Sequence, residues 1–133
     1  DAILSELYNN YRENRLRLMG FLMSERLKIT GYGIAYIILD ELTQKRFDFR
    51  KGESEGFVNM PLSIASVRMS IFLTQENDIF KVSVRSKAGT SANECAARFF
   101  NGGGHECAAG GKLTIGILDS DHTYSQIFCK CTL

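Results

Sequence analysis

The stretch Asn101-Gly102-Gly103-Gly104-His105-Glu106-Cys107-Ala108-Ala109-Gly110-Gly111 constrains this chain more than any other. Five of the 12 glycines in the 133 residues fall within these eleven positions. Three glycines in a row raise the entropy cost of folding, and they are kept where the backbone must reach positive φ or come very close to something. Successive amides in such a turn form an anion-binding concavity, and His105 adds a side chain able to donate to a phosphate. The stretch is therefore expected to be a loop that cradles a phosphate or nucleotide. A turn with no ligand is the competing reading.

The chain around it alternates helical and strand patterns. Leu4, Leu7, Tyr8, Tyr11, Leu18 and Leu22 recur at helical spacing, which predicts a helix from residue 3 to about 27. From Leu16 onward its apolar residues cover more than one face, so the helix wants more than one packing partner. Gly20 inside it marks a bend or a close contact. Ile34 to Leu39 is apolar without alternation, as a strand buried on both faces would be. Asp40 is a fitting N-cap for a short helix ending near Phe47. Residues 57 to 64 read as helix despite Pro61. Val67 to Thr74 and Ile79 to Ser86 form a hairpin across the polar tetrapeptide Gln75-Glu76-Asn77-Asp78. In the second strand Phe80, Val82 and Val84 alternate with Lys81, Ser83 and Arg85. Ser91 and Glu94 stand at capping-box spacing for a helix that stops at Asn101-Gly102. Leu113, Ile115 and Ile117 alternate as a further strand, and Tyr124 to Leu133 reads as a closing helix. The fold class is α/β, with a mixed sheet of about five strands flanked by helices and preceded by a long N-terminal helix.

Bulk properties narrow the function. Sixteen basic residues against fifteen acidic give a net charge of +1, which argues against broad electrostatic binding to long nucleic acid but allows a small anion held by a few groups. Cys95, Cys107, Cys129 and Cys131 form no C-x-x-C pair, and they read as free thiols in a cytoplasmic protein. No apolar run reaches the roughly 18–20 residues of a membrane helix, so no membrane partner is expected. The chain starts at Asp1 rather than Met, as a piece of a longer protein would. No Walker loop or dinucleotide fingerprint is present. His105-Glu106-Cys107 lacks the H-x-E and P-C-x-x-C of a zinc deaminase, and two histidines make no catalytic metal site. What remains is Arg85-Ser86-Lys87 at a strand's carboxyl end, the place where open α/β sheets bind ligands, followed by a helix and the glycine stretch. A guanidinium there can hold phosphate through two donors.

Lys81-Val82-Ser83-Val84-Arg85-Ser86 and Asn101 to Gly111 together resemble the DHH-associated C-terminal domain of the DHH phosphoesterase superfamily. Glu53-Ser54-Glu55-Gly56-Phe57-Val58-Asn59 resembles the D-T-E-G-x-V-N element of its nano-RNase branch, whose members degrade short oligoribonucleotides and dephosphorylate phosphoadenosine phosphate. The resemblance covers residues 30–118 and is weakest over the last fifteen. It implies residues 1–29 as a connector helix from a catalytic domain and 30–133 as the substrate-binding domain. It also implies Arg85, Ser86, Gly102, Gly103, Gly104 and His105 as phosphate-binding residues, with Lys87, Asn101, Glu55 and Asn59 in secondary roles. Asp121-His122 is followed by Thr123, so the family's Asp-His-His motif is absent here. The catalytic metals, Mn2+ or another divalent ion, are thus expected outside this chain, and the chain alone is expected to be inactive. Implied partners are a short oligonucleotide or nucleotide substrate and the protein's own N-terminal catalytic domain, with room for a homodimer of the full-length protein. Exopolyphosphatase-like, cyclic-dinucleotide phosphodiesterase and RNA- or tRNA-binding readings stay open. Glu53 stands where the branch carries Asp; its longer side chain can still reach a neighbouring amide, and no substrate role is carried over to it.

Overall fold

The computed structural model describes residues 11–114. The start of the first expected helix, the alternation at Ile115 and Ile117, the closing helix, Cys129 and Cys131 lie outside them.

The elements follow in the order α1 (Glu13–Phe21), a π-helical turn (Leu22–Arg26), β1 (Lys28–Ile29), β2 (Ile34–Leu39), α2 (Glu41–Arg46), a 3-10 segment (Phe57–Ser63), β3 (Met69–Glu76), β4 (Ile79–Ser86), α3 (Ala92–Phe99), β5 (Gly103–His105) and β6 (Ala108–Thr114). Among the described residues six strands form one sheet in the order β1-β2-β3-β4-β6-β5. Among these described strands β2 and β3 run parallel, and the other neighbouring pairs are antiparallel. The sheet is mixed, as expected, and its strand number, with short edge strands β1 and β5, roughly matches the expected five.

Local chemistry sets the element ends. Asp40 Oδ1 accepts from the Thr43 amide at 2.8 Å, and Ser91 Oγ accepts from the Glu94 amide at 3.0 Å, so both helix caps form. The hairpin turn is tighter than the sequence suggests: Gln75 and Glu76 stay in the ladder, and Asn77, at φ 56°, turns the chain with Asp78. Asparagine tolerates that left-handed backbone better than most residues. At Gly20 the expected close contact is not made, since a methyl group there would meet nothing. The helix changes instead to a π turn two residues later, where the Leu27 amide reaches back to the Leu22 carbonyl at 2.8 Å. Residues 57–63 coil as a 3-10 helix, the tighter form, around Pro61.

Each face of the sheet carries its own apolar cluster. On one face Ile34, Tyr36, Met69, Ile71, Leu73, Phe80, Val82 and Val84 pack under Ala92, Cys95, Ala96 and Phe100 of α3 and its end. On the other, Ile37, Leu39 and Phe72 pack under Leu18 and Leu22 of the N-terminal helix and Phe57 and Val58. Strand β2 is thus buried on both sides, the reason for its unbroken apolar run. Met19, Phe21 and Met23 pack against the second cluster beside Phe47 and Phe49, which takes up much of the helix's surplus apolar surface. Leu16 and Tyr11 stay exposed.

The second cluster covers only the β2–β3 side of its face. The 3-10 segment also approaches β4, and toward β6 and β5 the face is exposed at Lys112 and His105.

Candidate phosphate-binding site

Strand alternation decides what the open face presents. Phe80, Val82, Val84 and Ser86 turn toward α3, so Lys81, Ser83 and Arg85 turn the opposite way. The register then lines up rows across the sheet. Ser70, Arg85, Ala108 and His105 form one row; Phe72, Ser83, Gly110 and Gly103 form the next; Thr74, Lys81 and Lys112 form a third. Arg85 and His105 are two strands apart, roughly 10 Å by the spacing of a sheet. Ala108 between them offers only a methyl group.

A cavity of about 470 Å³ lies on this face. Its floor is Phe72, Thr74, Lys81, Ser83 and Arg85, and its wall is the loop of Lys51, Gly52, Ser54, Glu55 and Gly56. Phe49 and Val58 add apolar surface. The Arg85 guanidinium is oriented by its own strand and the next: Nη1 donates to the Val84 carbonyl at 2.8 Å and to the Ala109 carbonyl at 3.3 Å. Five donors belong to a guanidinium, so Nε and Nη2 remain for a ligand. The ion pairs among the described residues join Arg12 to Asp48 and Glu53, and Arg17 to Glu13, leaving the cavity's cations without a carboxylate partner.

The wall hangs from the first turn of α1. Arg12 Nε and Nη2 reach Glu53 at 2.9 and 2.7 Å, and Arg12 Nη2 also donates to the Asp48 carbonyl. Asn14 donates to the Phe47 carbonyl and Arg15 to the Glu55 carbonyl, each at 2.9 Å. Glu53 also accepts from the Arg50 amide at 2.7 Å, the neighbouring-amide bond its longer side chain was expected to reach. The hydrogen bond from Arg12 holds the Glu53 carboxyl below its ordinary range.

The glycine stretch departs most from expectation. It is a β-hairpin, not a loop: β5 and β6 are joined through Glu106 and Cys107, with Gly103 opposite Gly110 and His105 opposite Ala108. Its amides do not form a free concavity. Gly102 N donates to the Ala96 carbonyl at 3.1 Å, and Gly104 N donates to Asn93 Oδ1 at 2.9 Å. What the glycines supply is close approach. A methyl group on Gly102 would run into the Gly110 carbonyl and sit 2.7 Å from Gly111 Cα. One on Gly111 would run into the Phe100 carbonyl at the end of α3.

The other expected site residues divide. Glu55 lines the cavity. Ser86 is buried on the face opposite Arg85, where its hydroxyl donates to the Thr90 carbonyl at 2.6 Å; one step along a strand reverses the side chain. Lys87 Nζ donates to the Ile64 carbonyl at 3.0 Å. Asn101, at φ 50°, ends α3, and Asn59 is exposed on the 3-10 segment. Lys51, Thr74, Lys81 and Ser83 were not singled out from sequence, although the alternation that placed Arg85 also places Lys81 and Ser83 beside it. Among the described residues no group of three or more His, Cys, Asp or Glu is arranged to hold a metal ion. Cys95 and Cys107 are free thiols, and no described helix is long and apolar enough to cross a membrane.

Residues 31–120 match the DHHA1 domain family, a span that takes in β2 to β6 and the whole of the cavity's floor and wall. The chain belongs to the DHHA1 family. A bifunctional oligoribonuclease and PAP phosphatase, NrnA of Bacillus subtilis, is 31% identical over 112 residues, which are 82% of this chain and 35% of that protein. The DHHA1 chain thus spans about a third of the length of such relatives. An exopolyphosphatase-related protein from Bacteroides fragilis superposes with a TM-score of 0.86 at 41% identity, over 99% of this chain and 38% of its own. A pGpG-specific phosphodiesterase from Vibrio cholerae shares the fold, with a TM-score of 0.61 at 15% identity over 91% of this chain and 40% of its own.

Proposed function

We propose that this DHHA1 domain is the substrate-gripping part of a metal-dependent phosphoesterase that hydrolyses short oligoribonucleotides, nucleoside 3′,5′-bisphosphates, or both, in the cytoplasm. The observation that carries the reading is the open half of the sheet. Arg85 and His105 stand there in one register row beside the cavity, and neither pairs with a carboxylate among the described residues. Arg85 and His105 grip phosphate, with the surface of Gly102, Gly103 and Gly104 close by and Glu55 on the wall. Gly102 and Gly104 contribute by letting the hairpin pack rather than by free amides. Residues 1–29 connect this domain to the catalytic domain, which holds Mn2+ or a similar divalent ion and delivers the attacking water. The relatives' greater length supports that division.

An inorganic polyphosphate substrate is the second reading, favoured by the likeness to an exopolyphosphatase-related protein. The apolar surface of Phe49, Val58 and Phe72 in the cavity favours a ligand with an organic base. The experiment is a panel of phosphoadenosine phosphate, di- to pentaribonucleotides, cyclic dinucleotide and polyphosphate, assayed on the full-length protein with Mn2+. Arg85→Ala and His105→Ala are each expected to lower kcat/KM by roughly 10- to 150-fold, the worth of one charge-assisted hydrogen bond at ~1.5–3 kcal/mol. Unchanged hydrolysis in both variants would remove the basis for the assignment, as would hydrolysis by residues 1–133 alone.

A further inference from the structure

Lys81 and Lys112 are directly opposite one another on β4 and β6, on the open face, and both are exposed. Like charges in that relation destabilise a sheet. Neither takes part in an ion pair among the described residues, although Glu76 lines the same end of the cavity. Lys81 itself lines the cavity, at the end away from Arg85, and Lys51 belongs to the facing wall. We propose that Lys81 and Lys112 form a second anion subsite, which binds a phosphodiester of an oligonucleotide whose terminal phosphate is held at Arg85.

The separation decides what such a site can read. Lys81 is four residues from Arg85 along one strand, about 13 Å at the rise of a strand. Nη1 of Arg85 is tied to the Val84 and Ala109 carbonyls, one residue along the strand, which holds the guanidinium near its own end. The two phosphates of a nucleoside bisphosphate sit on one ribose and are too close together to span that gap. A chain of several nucleotides reaches both ends, crossing Ser83 and the side-chain-free surface of Gly110 between them. The lysine pair therefore sets preference for length. It adds affinity for oligonucleotides and none for a mononucleotide. This inference rests on Arg85 being the terminal phosphate's partner, as proposed above.

The test compares binding of phosphoadenosine phosphate and of a 5′-phosphorylated triadenylate to the full-length protein, without added divalent metal, over a series of salt concentrations. Lys81→Ala/Lys112→Ala is expected to weaken the triadenylate about tenfold and leave the bisphosphate within about twofold. The slope of log affinity against log salt should fall by ~0.7 for each phosphate that no longer meets a cation. Lys81→Arg/Lys112→Arg should keep the triadenylate affinity. Both positions are exposed, and removing a repulsive pair does not threaten folding. Equal weakening of both ligands, or an unchanged triadenylate affinity and slope, overturns the subsite. Arg85→Ala separates the two claims. It should weaken both ligands, and if it weakens neither, the phosphate-binding assignment itself fails, whatever the lysines do.

Discussion

Replacing Gly102 with alanine tests what the glycine run is for. The added Cβ would meet the Gly110 carbonyl and lie 2.7 Å from Gly111 Cα and 2.8 Å from the Gly110 carbonyl carbon. Ordinary carbon contacts lie at about 3.5–4.0 Å, so β6 or the end of α3 must move by about an ångström. Every obstructing atom is backbone, and β6 is held by β4 on one side and β5 on the other. Forcing extra volume into such a place typically costs ~1–3 kcal/mol, and the rigidity here points to the upper end. For a domain of this size ~3 kcal/mol lowers Tm by very roughly 10–20 °C. Gly103→Ala is the control. Its Cβ meets only Asn93 Oδ1, at 3.1 Å, and that side chain can turn aside. Doing so forfeits the bond to the Gly104 amide, worth about 1 kcal/mol, partly offset by the lower entropy of the unfolded alanine chain. Scanning calorimetry of the two variants should therefore show a large drop for Gly102→Ala and a shift of a few degrees at most for Gly103→Ala. Equal Tm values would refute the packing argument. A Gly102→Ala protein that kept its Tm and lost only nucleotide affinity would restore the picture of a free amide concavity.

Other consequences concern the wall and the two faces of β4. The Glu53 carboxyl lies below its ordinary range because Arg12 donates to it, so its stabilisation is complete above that ordinary range and is lost as pH falls through the depressed value. Urea midpoints of the parent and Glu53→Gln proteins should differ at pH 7, and the gap should close as pH falls below the ordinary carboxylate range; an unchanging gap would mean the ion pair is not the cause. Ser86→Ala should cost about 0.5–1.5 kcal/mol of stability through the bond to the Thr90 carbonyl while leaving KM for nucleotide unchanged. A raised KM at unchanged stability would put Ser86 in the site after all.

Features that depend on neighbours in sequence were legible from the sequence alone. The apolar run at Ile34–Leu39, the caps at Asp40 and Ser91 and the alternation of β4 each express a local rule, and each is present in the fold. The motif at Asn101–Gly111 was enough to indicate the family. The roles of its residues were a different matter. That Gly102 and Gly111 clear space for a carbonyl and a helix end is a relation between backbones brought together by folding, which residue type does not reveal. Arg85 and Ser86 are adjacent in sequence and lie on opposite faces, so a motif read as a string merges what a strand separates. The row of Arg85, Ala108 and His105, the pairing of Lys81 with Lys112, and the wall hung from Arg12 are matters of register and long-range contact. Sequence determined most of the elements and the family they belong to. Only the tertiary structure decided which side chains share a surface, because a slip of one residue in any strand would have exchanged its two faces.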